Sequence, residues 1–98
     1  MSDKIKKLSD AIRLGATFKA QARGGYLIDN RTCALGAAAE AIGMDIAATD
    51  NVAAQLRQRF SALLNFYDNK SLFEMIVEMN DMGHSRESIA DWLKRQGL

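Results

Sequence analysis

Thr32-Cys33-Ala34-Leu35-Gly36-Ala37-Ala38-Ala39-Glu40-Ala41-Ile42-Gly43 is the stretch on which the fold turns, because between Cys33 and Ile42 its only charged side chain is Glu40. Thr32 can accept a hydrogen bond from the unpaired amides of a first helical turn, and Gly43 can take the left-handed conformation that closes a helix. The stretch therefore predicts a short helix. A helix that is apolar on nearly every side has to be surrounded by other elements, and Gly36 with the alanines lets neighbouring backbones come close. It is the expected central post of a helical bundle.

Outward toward the N-terminus, Ala16 to Arg31 has no sustained helical period. It contains Gly24-Gly25 and mixes Phe18, Tyr26, Leu27 and Ile28 with Lys19, Arg23 and Arg31. This composition predicts a long irregular loop with room for a short β-hairpin around the double glycine. Before it, Ile5, Leu8 and Ile12 recur at three and four, so a first helix capped by Ser2 or Asp3 and stopped at Gly15 is expected.

Outward toward the C-terminus, Asp50 or Asn51 can cap a helix carrying Val52, Leu56, Phe60, Leu63 and Tyr67 on one face, with a turn at Asp68-Asn69-Lys70. Ser71 and Glu74 form a capping box ahead of Leu72, Phe73, Ile76 and Val77, a helix that should reach about Met82 and stop at Gly83. Ser85 opens a last helix with Ile89, Trp92 and Leu93 on one face, Arg86, Glu87, Asp91, Lys94 and Arg95 on the other, and Gly97 behind it. The fold class is thus all-α. Residues 1–98 are expected to form one compact bundle of about five short helices with crossing axes and one long loop at 16–31, without an internal repeat.

The chain has 98 residues, 48% hydrophobic and 26% charged, enough for one core without metals or disulfides as a precondition. No apolar run approaches the roughly 20 residues needed to cross a bilayer, and no signal-peptide pattern follows the start, so a cytoplasmic protein is expected. Cys33 is the only cysteine, which excludes an internal disulfide and a cysteine cage for a metal. No cofactor is implied. The net charge of +1 hides an asymmetry. Residues 1–33 hold seven cations against three acids, whereas residues 71–98 hold three cations against five acids. An acidic partner would meet the first third of the chain.

Four constellations bear on function. Cys33 opens a helix, where the partial positive charge of the helix end lowers a thiol pKa, and His84 follows Asn80-Asp81, so a cysteine-dependent hydrolase or transferase has its residue types present. Cysteine is also among the residues most often buried as a plain apolar group, no oxyanion donor can be named, and no catalytic residue is assigned. The segment from Ile76 to Gln96 has the outline of a helix-turn-helix, but its net acidity repels phosphate and Met79 and His84 fit the turn poorly. In the loop, Lys19, Arg23, Tyr26 and Arg31 could hold an anionic ligand or an acidic protein face, and aromatic stacking beside the cations keeps a single-stranded nucleic acid in view. Met75, Met79 and Met82 extend the apolar surface of their helix beyond one stripe, which suggests a partner contact or a homodimer.

Cys33-Ala34-Leu35-Gly36-Ala37, then Asn80-Asp81, then Ser85-Arg86-Glu87-Ser88-Ile89-Ala90-Asp91-Trp92-Leu93 resembles a family of small bacterial and phage-borne helical domains of unknown function. There a Cys-x-x-Gly-Ala helix start is similarly followed by an Asn-Asp pair and a terminal helix. At Ala16-Thr17-Phe18 the chain departs from the tryptophan expected beside the glycine. The resemblance implies a helical domain and carries no activity.

The function expected from these readings is a non-catalytic protein-interaction or regulatory module, with an unknown protein partner or self-association. Nucleic-acid or phosphate-ligand binding through the basic N-terminal third is the alternative, and a cysteine enzyme stands third. No membrane partner is expected.

Overall fold

Two hairpins with the same turn set the frame of the computed structural model, which describes residues 5–98. Strands β1 (Leu27–Ile28) and β2 (Arg31–Thr32) pair antiparallel, as do β3 (Phe66–Tyr67) and β4 (Lys70–Ser71). Each pair is joined by Asp-Asn with both residues left-handed: φ is 49° and 61° at Asp29 and Asn30, 51° and 70° at Asp68 and Asn69. That pattern gives the tight two-residue turn whose twist suits a hairpin, and Asp and Asn tolerate it better than other side chains. The first hairpin therefore bends at Asp29-Asn30 and not at Gly24-Gly25, where the glycines had suggested it.

Each hairpin feeds a helix. Helix α2 (Ala34–Ala41) follows β2 and helix α4 (Leu72–Asp81) follows β4. Each helix ends near a left-handed glycine, Gly43 at φ 86° and Gly83 at φ 102°, beyond which comes a further helix, α3 (Val52–Arg59) or α5 (Arg86–Arg95). The chain thus uses the order hairpin, helix, glycine, helix twice, contrary to the expectation of no repeat. The shared signature is only Ile28-Asp29-Asn30-Arg31-Thr32 against Tyr67-Asp68-Asn69-Lys70-Ser71, too short to stand out from composition. Helix α1 (Leu8–Ala16) precedes both units. Five helices are present as expected; the second hairpin was not.

The core is formed by Leu8, Ile12, Leu35, Leu56, Leu63, Leu72, Ile76, Ile89 and Leu93, all almost wholly buried. Helix α2 stands at its centre, with all its residues buried except half-buried Glu40. Two glycines make this possible. A β-carbon on Gly15 of α1 would lie 1.8 Å from the Ala37 carbonyl oxygen, and one on Gly36 would lie 2.1 Å from that of Tyr26, so backbone touches backbone at both points. Gly15 is a packing residue inside α1, not the stop signal it resembled.

Other boundaries also differ. Lys7 stands at the N-cap of α1 without a side-chain cap, and Ser2 and Asp3 lie outside the described residues. Cys33, not Thr32, caps α2, its Sγ accepting the Gly36 amide at 3.3 Å. The amphipathic helix expected from Val52 to Tyr67 ends at Arg59: Phe60 adopts φ −121°, ψ 83°, and a 3-10 turn at Ser61–Leu64 follows. The break still turns Phe60 and Leu63 inward, but leaves Leu64, Phe66 and Tyr67 exposed. The Ser71–Glu74 capping box is present, with the Glu74 amide 3.2 Å from Ser71 Oγ. On α5, Trp92 is only partly buried, and Arg86, expected on the outer face, is 5% exposed. No helix of the described residues is long and apolar enough to cross a membrane.

Candidate functional site

The loop expected to be free is tied down from three sides. Its segment 20–22 runs along β2, the Ala22 amide donating to the Thr32 carbonyl and the Thr32 amide to that of Ala20, both at 2.9 Å. From α5, buried Arg86 donates through Nη1 to Thr32 Oγ1 at 3.0 Å and through Nη2 to the Lys19 carbonyl at 2.7 Å. Burial holds its guanidinium pKa below the ordinary value, with the neighbouring Glu87 opposing that shift. From α4, Asn80 is 1% exposed and its amide is fully engaged. Its Oδ1 accepts the Ala34 amide at 3.0 Å and Gln21 Nε2 at 2.9 Å, while Nδ2 donates to the Ala22 carbonyl at 2.7 Å. Asn80 therefore caps the start of α2 and anchors the loop with one side chain. Sequence reasoning missed both anchors: Asn80 stands out in the sequence only beside His84 and in the Asn-Asp pair of the resemblance, with no structural role attached, and Arg86 follows the charge pattern of an outer face.

The loop's four candidate residues are dispersed. Lys19 forms an ion pair with Glu40 of α2, both largely screened from water. Tyr26 turns inward against the core. Arg23 and Arg31 are exposed and share an open depression of about 640 Å³ with Gln21 and Asp29, and the Arg23 guanidinium also lies against Gly83. Only these two cations remain together at a surface a ligand can reach.

A second cavity, of about 310 Å³, opens between Gly24-Gly25, the start of α2 and one flank of α4. Tyr26, Cys33, Leu35, Phe73, Ile76 and Asp81 are among its walls. Arg57 stacks its guanidinium 4.3 Å from the centroid of Phe73. The Cys33 thiol is buried, and burial pushes its pKa up despite the hydrogen bond from the Gly36 amide. Desolvation also raises the Tyr26 hydroxyl, with Cys33 adding and Arg57 opposing. A nucleophilic cysteine requires the reverse, a lowered pKa and access. His84 is exposed on the turn between α4 and α5, and its carbonyl accepts Gln21 Nε2 at 2.8 Å. Among the described residues no cluster of three or more His, Cys, Asp or Glu could hold a metal ion.

The opposite flank of α4 borders a third site. Met75, Met79 and Met82 line a groove of about 420 Å³ with Tyr67, Lys70 and Glu78. Met82 is 78% exposed, and the adjoining hairpin and 3-10 turn present Phe66 at 69% and Leu64 at 57%. Lys70 Nζ bridges both carboxylate oxygens of Glu78 at 2.7 and 2.8 Å, fixing the hairpin to the helix across the groove floor. The break at Phe60 is what produces this surface, since a continuous helix would have carried Leu63 and Tyr67 on one face. The structure therefore gathers the three methionines in one place, whereas it separates the loop's four candidates. Comparison with protein-family models, with curated proteins and with solved structures found no match.

Proposed function

We propose that this chain is a non-catalytic protein-interaction or regulatory module whose contact surface is the groove between the β3–β4 hairpin and α4. One observation carries the reading: Tyr67 and Met82 are large apolar side chains left exposed on a groove along one helix flank that also bears Met75 and Met79. Scattered exposed leucines are ordinary in a soluble domain, but an aromatic and methionine set gathered on a hairpin and its helix is the composition of a contact surface. Methionine suits that role, because its flexible thioether reshapes to different partners.

The test is affinity capture from the native host's lysate with the wild-type chain and with a Tyr67→Ser/Met82→Ser variant. Both side chains are exposed, so the variant keeps its fold. Proteins retained by the wild type and lost by the variant support the reading; identical sets refute it.

Anionic-ligand binding is a second reading, favoured by the shared depression of Arg23 and Arg31. With Asp29 in the same depression the positive field is weak, and salt-sensitive retention on a phosphate matrix, lost in Arg23→Gln/Arg31→Gln, is what it requires.

A further inference from the structure

The two hairpin–helix units differ in what covers their first helix, and the difference says what kind of partner the groove takes. Both helices begin with an N-cap side chain accepting the amide three residues on, Cys33 from Gly36 and Ser71 from Glu74. Counted from those caps, the fourth residue is Ala37 in α2 and Met75 in α4, and the seventh is Glu40 in α2 and Glu78 in α4. In α2 these two positions face the N-terminal helix and the chain just beyond it. Gly15 of α1 packs against the Ala37 backbone, and Lys19 pairs with Glu40. In α4 the same two positions line the open groove, bordered among the described residues only by α4 itself and its own hairpin.

We propose that the groove docks an amphipathic helix of another protein that carries a cation beside its apolar stripe, seated on α4 as α1 is seated on α2. The inference rests on the interaction reading above and specifies its partner. Its charge follows from the surroundings. Asp68 and Glu78 line the groove and are exposed, and among the described residues its one lining cation, Lys70, is joined to Glu78, which leaves Asp68 without a cation. An incoming lysine or arginine meets Asp68 beside the Lys70–Glu78 pair, whereas an acidic helix meets surplus negative charge. Its shape follows from the methionines. Where Gly15 and Ala37 bring two backbones into contact, Met75 holds a partner helix farther out and fills the gap with side chain. The partner therefore needs large apolar anchors at helical spacing, not small ones.

The experiment uses the whole chain with ¹³C-labelled methionine methyl groups and two synthetic peptides of about 18 residues, long enough to be helical. One peptide places lysine opposite a leucine stripe; the other has glutamate in place of every lysine. The lysine peptide should shift the methyl signals of Met75, Met79 and Met82 saturably and leave Met44, which lies outside the groove, unmoved. The glutamate peptide should shift none of them. Asp68→Asn/Glu78→Gln should weaken the lysine peptide about tenfold, with a reduced salt dependence. Met82→Ser, at a site too exposed to affect folding, should weaken it too. Equal binding of both peptides, or binding indifferent to Met82→Ser, overturns the proposal. If neither peptide shifts the methyls but they shift with protein concentration as sedimentation reports a dimer, the basic-helix partner is wrong and the interaction reading survives. If nothing moves them and the capture experiment also fails, both fall.

Discussion

Replacing Asn80 with alanine removes the side chain that joins three segments, and its cost can be worked out bond by bond. The Ala34 amide is in the first turn of α2, where no intrahelical carbonyl can reach it, and Asn80 Oδ1 is its partner at 3.0 Å. The Ala22 carbonyl accepts Asn80 Nδ2 at 2.7 Å. Both bonds are buried, so Asn80→Ala strands a donor and an acceptor. Each costs about 1 to 3 kcal/mol, so the loss should be about 2 to 6 kcal/mol even before the small void left behind is added. For a domain of this size that lowers Tm by roughly 10 to 45 °C. Gln21→Ala removes two bonds from a half-buried position, one to the same Oδ1 and one to the exposed His84 carbonyl, strands neither acceptor away from water, and should cost only about 1 kcal/mol. Urea denaturation measures both, and amide hydrogen exchange locates the effect: in Asn80→Ala the Ala34 amide and the 20–22 segment should lose protection first. Equal stability of the two variants, or a loss with exchange at Ala34 unchanged, would refute the view that Asn80 holds the loop to the helix.

Three further outcomes are expected. Lys19→Gln should cost about 1 to 2 kcal/mol by leaving half-buried Glu40 unpaired, while Arg23→Gln and Arg31→Gln should each stay within about 0.5 kcal/mol, all read by thermal melting. The Cys33 thiol has a raised folded-state pKa, so its contribution is fully present below the unfolded-state value near 8.5 and is lost as pH rises through the folded value. Cys33→Ala should therefore flatten the alkaline fall in stability, and native Cys33 should resist thiol reagents at neutral pH until the chain is unfolded. Gly15→Ala should destabilise by about 3 kcal/mol or more, because its β-carbon would overlap the Ala37 carbonyl; a stabilised variant would show that α1 and α2 are not in backbone contact.

The helices could be read from the chain where local chemistry and tertiary demand agree. Ser71 with Glu74, Ser85 ahead of Ile89, and Gly43, Gly83 and Gly97 mark ends that the structure keeps. They could not be read where a tertiary contact overrides the pattern. The run from Val52 to Tyr67 has a continuous helical period, yet the chain leaves the helix at Phe60. The spacing of Phe60 and Leu63 is also met by a 3-10 turn, so periodicity alone does not separate the two. Asp-Asn is a weaker hairpin signal than a glycine pair, so the loop's bend was expected at Gly24-Gly25. Arg86 and Lys19 follow the rule that charges point outward until a partner across the fold is known: four carbonyl and hydroxyl acceptors for the one, Glu40 for the other. The methionines were visible as an excess, but the groove they line needed the second hairpin to exist.

That hairpin also explains why two similar units end in different roles. In the first unit, backbone contact at Gly15 and Gly36 leaves no room for a side chain at either position, and α2 is committed to the core. In the second, the N-cap follows the turn one residue sooner, the face that would carry a covering helix bears methionine, and Lys70 clamps Glu78 in place of a covering element's cation. An apolar face of this kind raises the free energy of the isolated chain in water, since burying each exposed methionine or aromatic would gain about 1.5 to 3 kcal/mol. Shortening Met82 to alanine would reduce that exposed apolar area without touching the core, whereas Met79 also packs against it, so the fold alone does not require Met82. The presence of the three methionines on one flank, beside a hairpin that exposes Phe66 and Tyr67, is what the proposed docking of a second molecule would use, completing for α4 what α1 completes for α2.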